Sequence, residues 1–255
     1  MDGSARKRRT TASFARVADQ YLDSDVHREG TDLALLVSWC AGARRVLDVA
    51  CGAGHVAGAL RSAGVPEVVA SDATVEMLRT ARDRFDVPVV AADAERLPFA
   101  SDSVDAVTCR IATHHFPDPS AFVSEVARVL EPGGTFALED NVAPEDEELA
   151  RYLNQVEAAR DDSHVDAKPV SWWRETLEGT GFAVEEAVTM RRELDYEAWR
   201  DRTTDTAAQR EFVDDLLGRP EASSVYQRET DGDGTVTRFS NEKGLFRCRV
   251  PAVAE

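Results

Sequence analysis

Lysine is nearly absent from this chain: Lys7, Lys168 and Lys243 are the only three among 255 residues. Arginine supplies the rest of the 30 basic side chains, which face 47 acidic ones and leave a net charge of −17. That balance disfavours a nucleic-acid substrate, because a phosphate backbone would be repelled. The cluster Arg6-Lys7-Arg8-Arg9 is a local exception. Residues 1–9 read as a short disordered tail, so the cluster reads as solvated surface. An acidic, lysine-poor exterior suits a high-salt cytoplasm, where the Debye length shrinks to roughly 3 Å at 1 M salt and self-repulsion matters less. An ordinary acidic protein is the alternative.

Long apolar runs are missing too. No stretch approaches the roughly 18 apolar residues of a membrane-spanning helix. The first residues are charged and no apolar segment follows them, so a signal peptide is not expected and a cytoplasmic location is. Cysteine is sparse, and Cys40, Cys51, Cys109 and Cys248 form no C-x-x-C pair. A zinc or redox site is therefore not expected; Cys51 and Cys109 read as small packing residues. The turn Asp231-Gly232-Asp233-Gly234 lacks the third acid and the distal glutamate of a calcium loop, so no metal is expected there either. No internal repeat is visible, and the length with 43% hydrophobic content suits one α/β domain.

What is present centres on Arg45-Val46-Leu47-Asp48-Val49-Ala50-Cys51-Gly52-Ala53-Gly54-His55. Val46, Leu47 and Val49 predict a buried parallel strand. Gly52 and Gly54 predict a tight turn, and residues 55–63 a helix. Strand, glycine turn and helix N-terminus make the ligand corner of a doubly wound sheet, where a Cβ would keep a ligand off the backbone. The glycines alone also fit the dinucleotide pattern G-x-G-x-x-G/A. Asp48 discriminates: a carboxylate before the loop repels a pyrophosphate and suits a cationic ligand. Its alternative role is to bond turn amides.

The run VLDVACGAG resembles motif I of the class I S-adenosylmethionine (SAM) dependent methyltransferases. Three more segments follow in that family's order: DATVEML from Asp72, ADAERLPF from Ala92, and LEPGGTF from Leu130. The resemblance implies that the loop of Asp48, Ala50, Gly52 and Gly54 wraps the methionine part of SAM. Ala50 stands where the family has a glycine, and a slight adjustment is expected. Asp72 ends the second strand (residues 67–71), where doubly wound folds grip ribose hydroxyls; Ala73 follows it at the cofactor. Met77 is placed beside the adenosine, or in the core. Asp93 is placed to accept from the adenine amino group and the Ala94 amide to meet a ring nitrogen; Ala92 replaces a glycine. Arg110, at the end of the fourth strand, joins the cofactor set. Tyr21, Ser24 and His27 belong to an N-terminal helical pair (residues 13–23 and 32–40) that caps the cleft in similar methyltransferases; capping those helices is their alternative role.

The third, fourth and fifth strands are predicted over residues 87–91, 103–110 and 135–139. Asp118 caps a helix reaching Leu130, and Glu131-Pro132-Gly133-Gly134 stops it. A helix over 144–160, a loop at 161–165, a Ser171-capped helix to Thr180, a strand over 182–192, a helical insert over 196–217 and a last strand over 244–250 follow. The family resemblance makes that last strand antiparallel. The fold class is a doubly wound, seven-stranded, mostly parallel Rossmann-like sheet. Residues 1–43 form the tail and cap, 44–142 the SAM-binding core, and 143–255 the substrate side. His114 and His115 follow the fourth strand. Successive side chains of an extended segment alternate, so His115 is the candidate general base and His114 packs or bonds the backbone; both being structural is the alternative.

The expected function is methyl transfer from SAM to a small molecule, without nucleic acid or membrane as partner. A non-catalytic SAM-binding protein is the rival. An NAD-linked oxidoreductase is disfavoured by Asp48, by Asp93-Ala94 and by the lack of a Tyr-x-x-x-Lys pair. The His-His loop and the segment Asp162-Ser163-His164 resemble small-molecule methyltransferases related to those of quinone biosynthesis.

Overall fold

Val46 and Leu47 are both fully buried although successive strand residues face opposite ways. That requires a sheet covered on both faces. In the computed structural model, which describes residues 3–22 and 30–252 and the backbone alone over 16–22, the sheet is covered in this way. Strands β1 (Arg45–Val49), β2 (Glu67–Asp72), β3 (Val89–Ala91), β4 (Val104–Arg110) and β5 (Leu130–Ala143) are parallel. Two long strands extend them, β9 (Val236–Arg249), antiparallel to β5, and β7 (Ala183–Asp195), antiparallel to β9 and so parallel to the rest, in the order β3-β2-β1-β4-β5-β9-β7. The short strands β6 (Lys168–Pro169) and β8 (Gln227–Thr230) pair off this path with β5 and β9.

Helices α2 (Thr31–Trp39) and α3 (His55–Ser62) cover one face, where Leu36, Trp39, Val56 and Leu60 pack with Val46, Val68, Ala106 and Leu245. Helices α5 (Pro119–Val129) and α7 (Val170–Gly179) cover the other, where Phe122, Val126, Trp173 and Leu177 meet Leu47, Val107 and Phe136. Helix α4 (Val75–Phe85) follows β2. A third cluster joins α6 (Glu147–Arg160), α8 (Tyr196–Asp201), α9 (Ala207–Gly218) and α10 (Ala222–Val225) around Val156, Trp199, Leu216, Tyr226 and Phe239. The strand order reverses between β1 and β4. In such sheets the crevice outside the strand carboxyl ends at that point is where ligands bind.

The expected sheet is present, with several corrections at its margins. Residues 3–9 are not a loose tail: α1 runs over Gly3–Leu22, ten residues further N-terminal than the periodicity indicated. Lys7, which looked like a solvated charge, anchors it by ion pairs to Asp93 and Glu95. The fifth and last strands are also longer than expected. They pair with each other from Thr135↔Arg249 to Asn141↔Lys243, and a long partner sustains a strand past its locally apolar stretch. Ser171 does not cap α7; Pro169 occupies the cap position, and the Ser171 amide and hydroxyl both donate to Glu145. Asp118 caps α5 as expected, accepting from the Ala121 amide. The insert over 196–217 is divided into α8 and α9 rather than continuous.

Candidate active site

The crevice between β1 and β4 is a cleft of about 1270 Å³, its open mouth included. Asp48, Ala50, Gly52, Asp72, Ala73, Met77, Asp93, Ala94, Arg110 and His115, the residues expected at the site, all line it. Gly54 does not appear in its wall. A Cβ on Gly54 would lie 2.7 Å from the Ala81 Cβ, so this glycine serves the approach of α3 to α4. Gly52 is the opposite case: with φ of 52° and nothing within 4 Å of a built Cβ, it keeps space open. Ala50 adopts φ of 53°. An L side chain pays for that left-handed conformation, so replacing the family's glycine costs backbone strain rather than only a slight adjustment. Tyr21's side chain, Ser24 and His27 lie outside the described residues.

Among the described residues, three aspartates line the cleft. Asp48 is buried, and its oxygens accept from Thr108 Oγ1 at 2.8 Å and from the Ala57 amide at 3.2 Å. Burial pushes its carboxyl up to about 7, against those two hydrogen bonds. It therefore does bond a helix amide, and it also faces the cleft, where a cation would favour its ionised form. Asp72 accepts the Gly52 amide at 3.0 Å on one oxygen and the Thr74 amide at 2.8 Å on the other. It thus ties the glycine loop to β2; burial raises its carboxyl, and those amides oppose the rise. Asp93 accepts the Glu95 amide at 3.0 Å and the Lys7 ammonium at 2.7 Å. Arg110 is held between Glu139 at 2.7 Å and Asp32 at 2.6 Å, and Arg192 reaches the same Asp32 oxygen at 2.8 Å.

The lining also includes an apolar and aromatic set: Phe14 of α1, Ile111, Ala112, Phe116 and Pro117. His115 is set into this wall and meets the Phe14 ring edge-on at 5.0 Å. The two histidines do not lie on an extended segment. Thr113–His115 is a 3-10 turn closed by His115 N–H to Ala112 C=O at 3.0 Å. The turn nonetheless separates their roles. His114 Nδ1 lies 2.6 Å from Asp140 and its amide donates to the same carboxylate at 2.9 Å, while His115 faces the cleft. Burial, and then the neighbouring His114, push His115 down to about 4, although Asp161 and Asp140 pull the other way.

Sequence reasoning missed the contribution of α1. Lys7, Thr10, Thr11 and Phe14 all line the cleft; Phe14 on the apolar side of its helix was the available signal. It also assigned no role to Asp161 and Ser163, which stand directly behind His115. Among the described residues no group of three or more histidine, cysteine or acidic side chains has metal-site geometry.

A sequence profile described as a methyltransferase domain matches residues 47–138. The uncharacterized methyltransferase YcgJ of Bacillus subtilis is 38% identical over 194 residues, spanning 73% of this chain and 76% of that protein. The crystal structure of the YcgJ protein superposes with a TM-score of 0.81 at 31% identity, covering 86% of this chain and 98% of that one. A demethylmenaquinone methyltransferase from a Mycobacterium species is 47% identical over 90 residues, which is 35% of this chain and 38% of that protein.

Proposed function

Because this chain belongs to the class I SAM-dependent methyltransferases, we propose that it methylates a small, largely apolar molecule seated against His115. The observation that carries this reading is the mixed lining of one cleft. Asp48, Gly52, Asp72 and Asp93 line it together with Phe14, Phe116 and His115. Residues 44–142 hold the cofactor; residues 1–43 and 143–255 shape the acceptor side.

The residues present fit SAM. The open space at Gly52 would admit a ligand against the backbone, Asp48 would face the sulfonium cation, Asp72 would accept from ribose hydroxyls, and Asp93 with the Ala94 amide would receive adenine. Bound SAM supplies a methyl group made electrophilic by its sulfonium. The chain then has mainly to align the acceptor, and alignment is worth roughly 7–11 kcal/mol of barrier in favourable cases. The apolar wall excludes water, and His115 accepts the acceptor's proton. A weak base suffices for a hydroxyl, because an oxygen that has gained a methyl group holds its proton very loosely. The substrate of the Mycobacterium relative, a demethylated quinone by its name, is in keeping with a cyclic apolar acceptor.

Calorimetry tests the cofactor assignment. SAM and its demethylated product should bind, and NAD should not. Tight NAD binding would overturn the assignment, and turnover of a panel of small apolar hydroxyl compounds would separate an enzyme from a silent SAM binder. No described helix is long and apolar enough to cross a membrane, and the acidic surface supports a cytoplasmic protein that avoids nucleic acid.

The charge balance supports adaptation to salt. A net charge of −17 repels itself in dilute buffer, whereas exposed pairs such as Arg45–Glu67 at 2.9 Å return little each. Screening should therefore remove more repulsion than attraction. Melting temperature should rise as KCl approaches molar levels; a flat or falling trend identifies an ordinary acidic protein.

A further inference from the structure

Behind His115 stands a second, unassigned pair of side chains. The loop after α6 carries Asp161, Asp162, Ser163 and His164. It is pinned to the 3-10 turn by Val165 N–H to His114 C=O at 2.7 Å. Asp161 is 3% exposed and Ser163 is 1% exposed, so neither is a solvated surface group. Asp161 Oδ1 accepts the Ser163 amide at 2.8 Å and the Ser163 hydroxyl at 2.5 Å. The same hydroxyl oxygen lies 3.1 Å from His115 Nδ1.

A serine hydroxyl has one proton. Here it goes to Asp161, whose carboxylate has none to give; the nearby His115 and Arg160, with the Ser163 hydroxyl, outweigh burial and hold that carboxyl well below its usual range. Ser163 can then only accept from His115. The reverse assignment would set a carboxylate oxygen and a hydroxyl lone pair against each other at 2.5 Å. We propose that Asp161 and Ser163 are positioning residues that fix the proton of His115 on Nδ1 and leave the Nε2 lone pair bare. The side-chain hydrogen bond of the ring is made at Nδ1, and the ring lines the cleft. The role complements the base assignment above and rests on that reading. As the acceptor's bond to methyl forms, the methyl–sulfur electron pair goes to sulfur and the acceptor's proton passes to Nε2. The resulting imidazolium keeps its Nδ1 proton on Ser163 and has the Asp161 charge one hydrogen bond further on.

Other ionisable groups surround the imidazole. His114 packs against it at a 46° tilt with ring centroids 4.1 Å apart and Asp140 behind it, His164 lies 5.7 Å from His114, and Arg160, the last residue of α6, adjoins Asp161. Phe14 closes the α1 side. His164 does not compete for the hydroxyl, since its Nε2 is 2.7 Å from Asn154 Oδ1.

Nitrogen-15 NMR of the full chain reads the tautomer directly, because protonated and bare imidazole nitrogens resonate far apart. His115 is assigned by the signal lost in His115→Gln. Wild type at neutral pH should show Nδ1 protonated and Nε2 bare. Ser163→Ala should blur this into a mixture, and Ser163→Thr should restore it. Asp161→Asn can present an N–H to the serine, turn its hydroxyl toward Nδ1 and move the histidine proton to Nε2. With any acceptor that turns over, that variant should lose about 10²-fold in kcat, the lower end of what a general base supplies, at unchanged SAM affinity. SAM calorimetry on each variant confirms that it is folded. A wild-type His115 protonated on Nε2, or a tautomer indifferent to Ser163→Ala, overturns the proposal. A correct tautomer with full turnover in His115→Gln leaves the positioning intact and sinks the base assignment instead.

Discussion

His115→Gln should lower kcat by about 10²–10⁴ for a hydroxyl acceptor, while SAM affinity stays within about twofold of wild type. Glutamine keeps a polar group of similar reach against Ser163 but accepts no proton. The affinity should hold because the carboxylates proposed to hold SAM are on other segments: Asp48 on β1, Asp72 on β2 and Asp93 after β3. A fall in SAM binding equal to the fall in kcat would make His115 a cofactor contact. An unchanged kcat would leave alignment alone as the source of rate. The pH profile carries a second signature. With His115 held near 4, its lone pair persists through neutral and mildly acidic pH. Loss of turnover through its protonation should centre near pH 4 rather than at the ordinary 6.5. The same depression couples to folding. The unfolded chain takes up a proton on this histidine below its ordinary value and the native chain does not. Stability falls as pH drops from about 6.5 to about 4, by on the order of 3 kcal/mol from this group, and no further loss comes from it below that. Melting temperatures of wild type and His115→Gln across this window measure the contribution.

The β1–loop–α3 corner was legible because each step has a local cause. A buried strand must be apolar on both faces, an open turn must be glycine, and an acid at the end of β2 must find donors. The structure places all of these at one topological switch point. Less legible were features whose cause is distant in sequence. Lys7 looked like part of a solvated basic tail because its carboxylate partners lie 86 and 88 residues on; the pairs to Asp93 and Glu95 exist only once α1 lies across the cleft. Gly54 looked like a ligand-facing glycine because its conflict is with Ala81, on a helix that the local pattern does not bring near. The same limit hid Ser163. A serine in a polar loop carries no periodicity, and its significance appears only when α6 and β6 deliver it behind the 3-10 turn.

Asp72→Ala should weaken SAM binding by about 10²–10⁴, the loss of two hydrogen bonds to a charged acceptor at about 1.5–3 kcal/mol each. Part of that loss is indirect. The same carboxylate holds the Gly52 amide at 3.0 Å and the Thr74 amide at 2.8 Å, so its removal frees the glycine loop and the start of α4 together. Asp72→Asn separates the two effects. An asparagine retains one carbonyl oxygen for a backbone amide and presents an N–H₂ group where the second acceptor stood. It should melt closer to wild type than the alanine variant and still bind SAM at least about tenfold more weakly, since one charge-assisted bond is gone. A pure loop tether predicts instead that affinity tracks melting temperature across both variants, so that Asp72→Asn would bind SAM nearly as tightly as wild type. Unchanged SAM binding in Asp72→Ala would remove the ribose contact altogether and leave Asp72 as the tie between loop and strand.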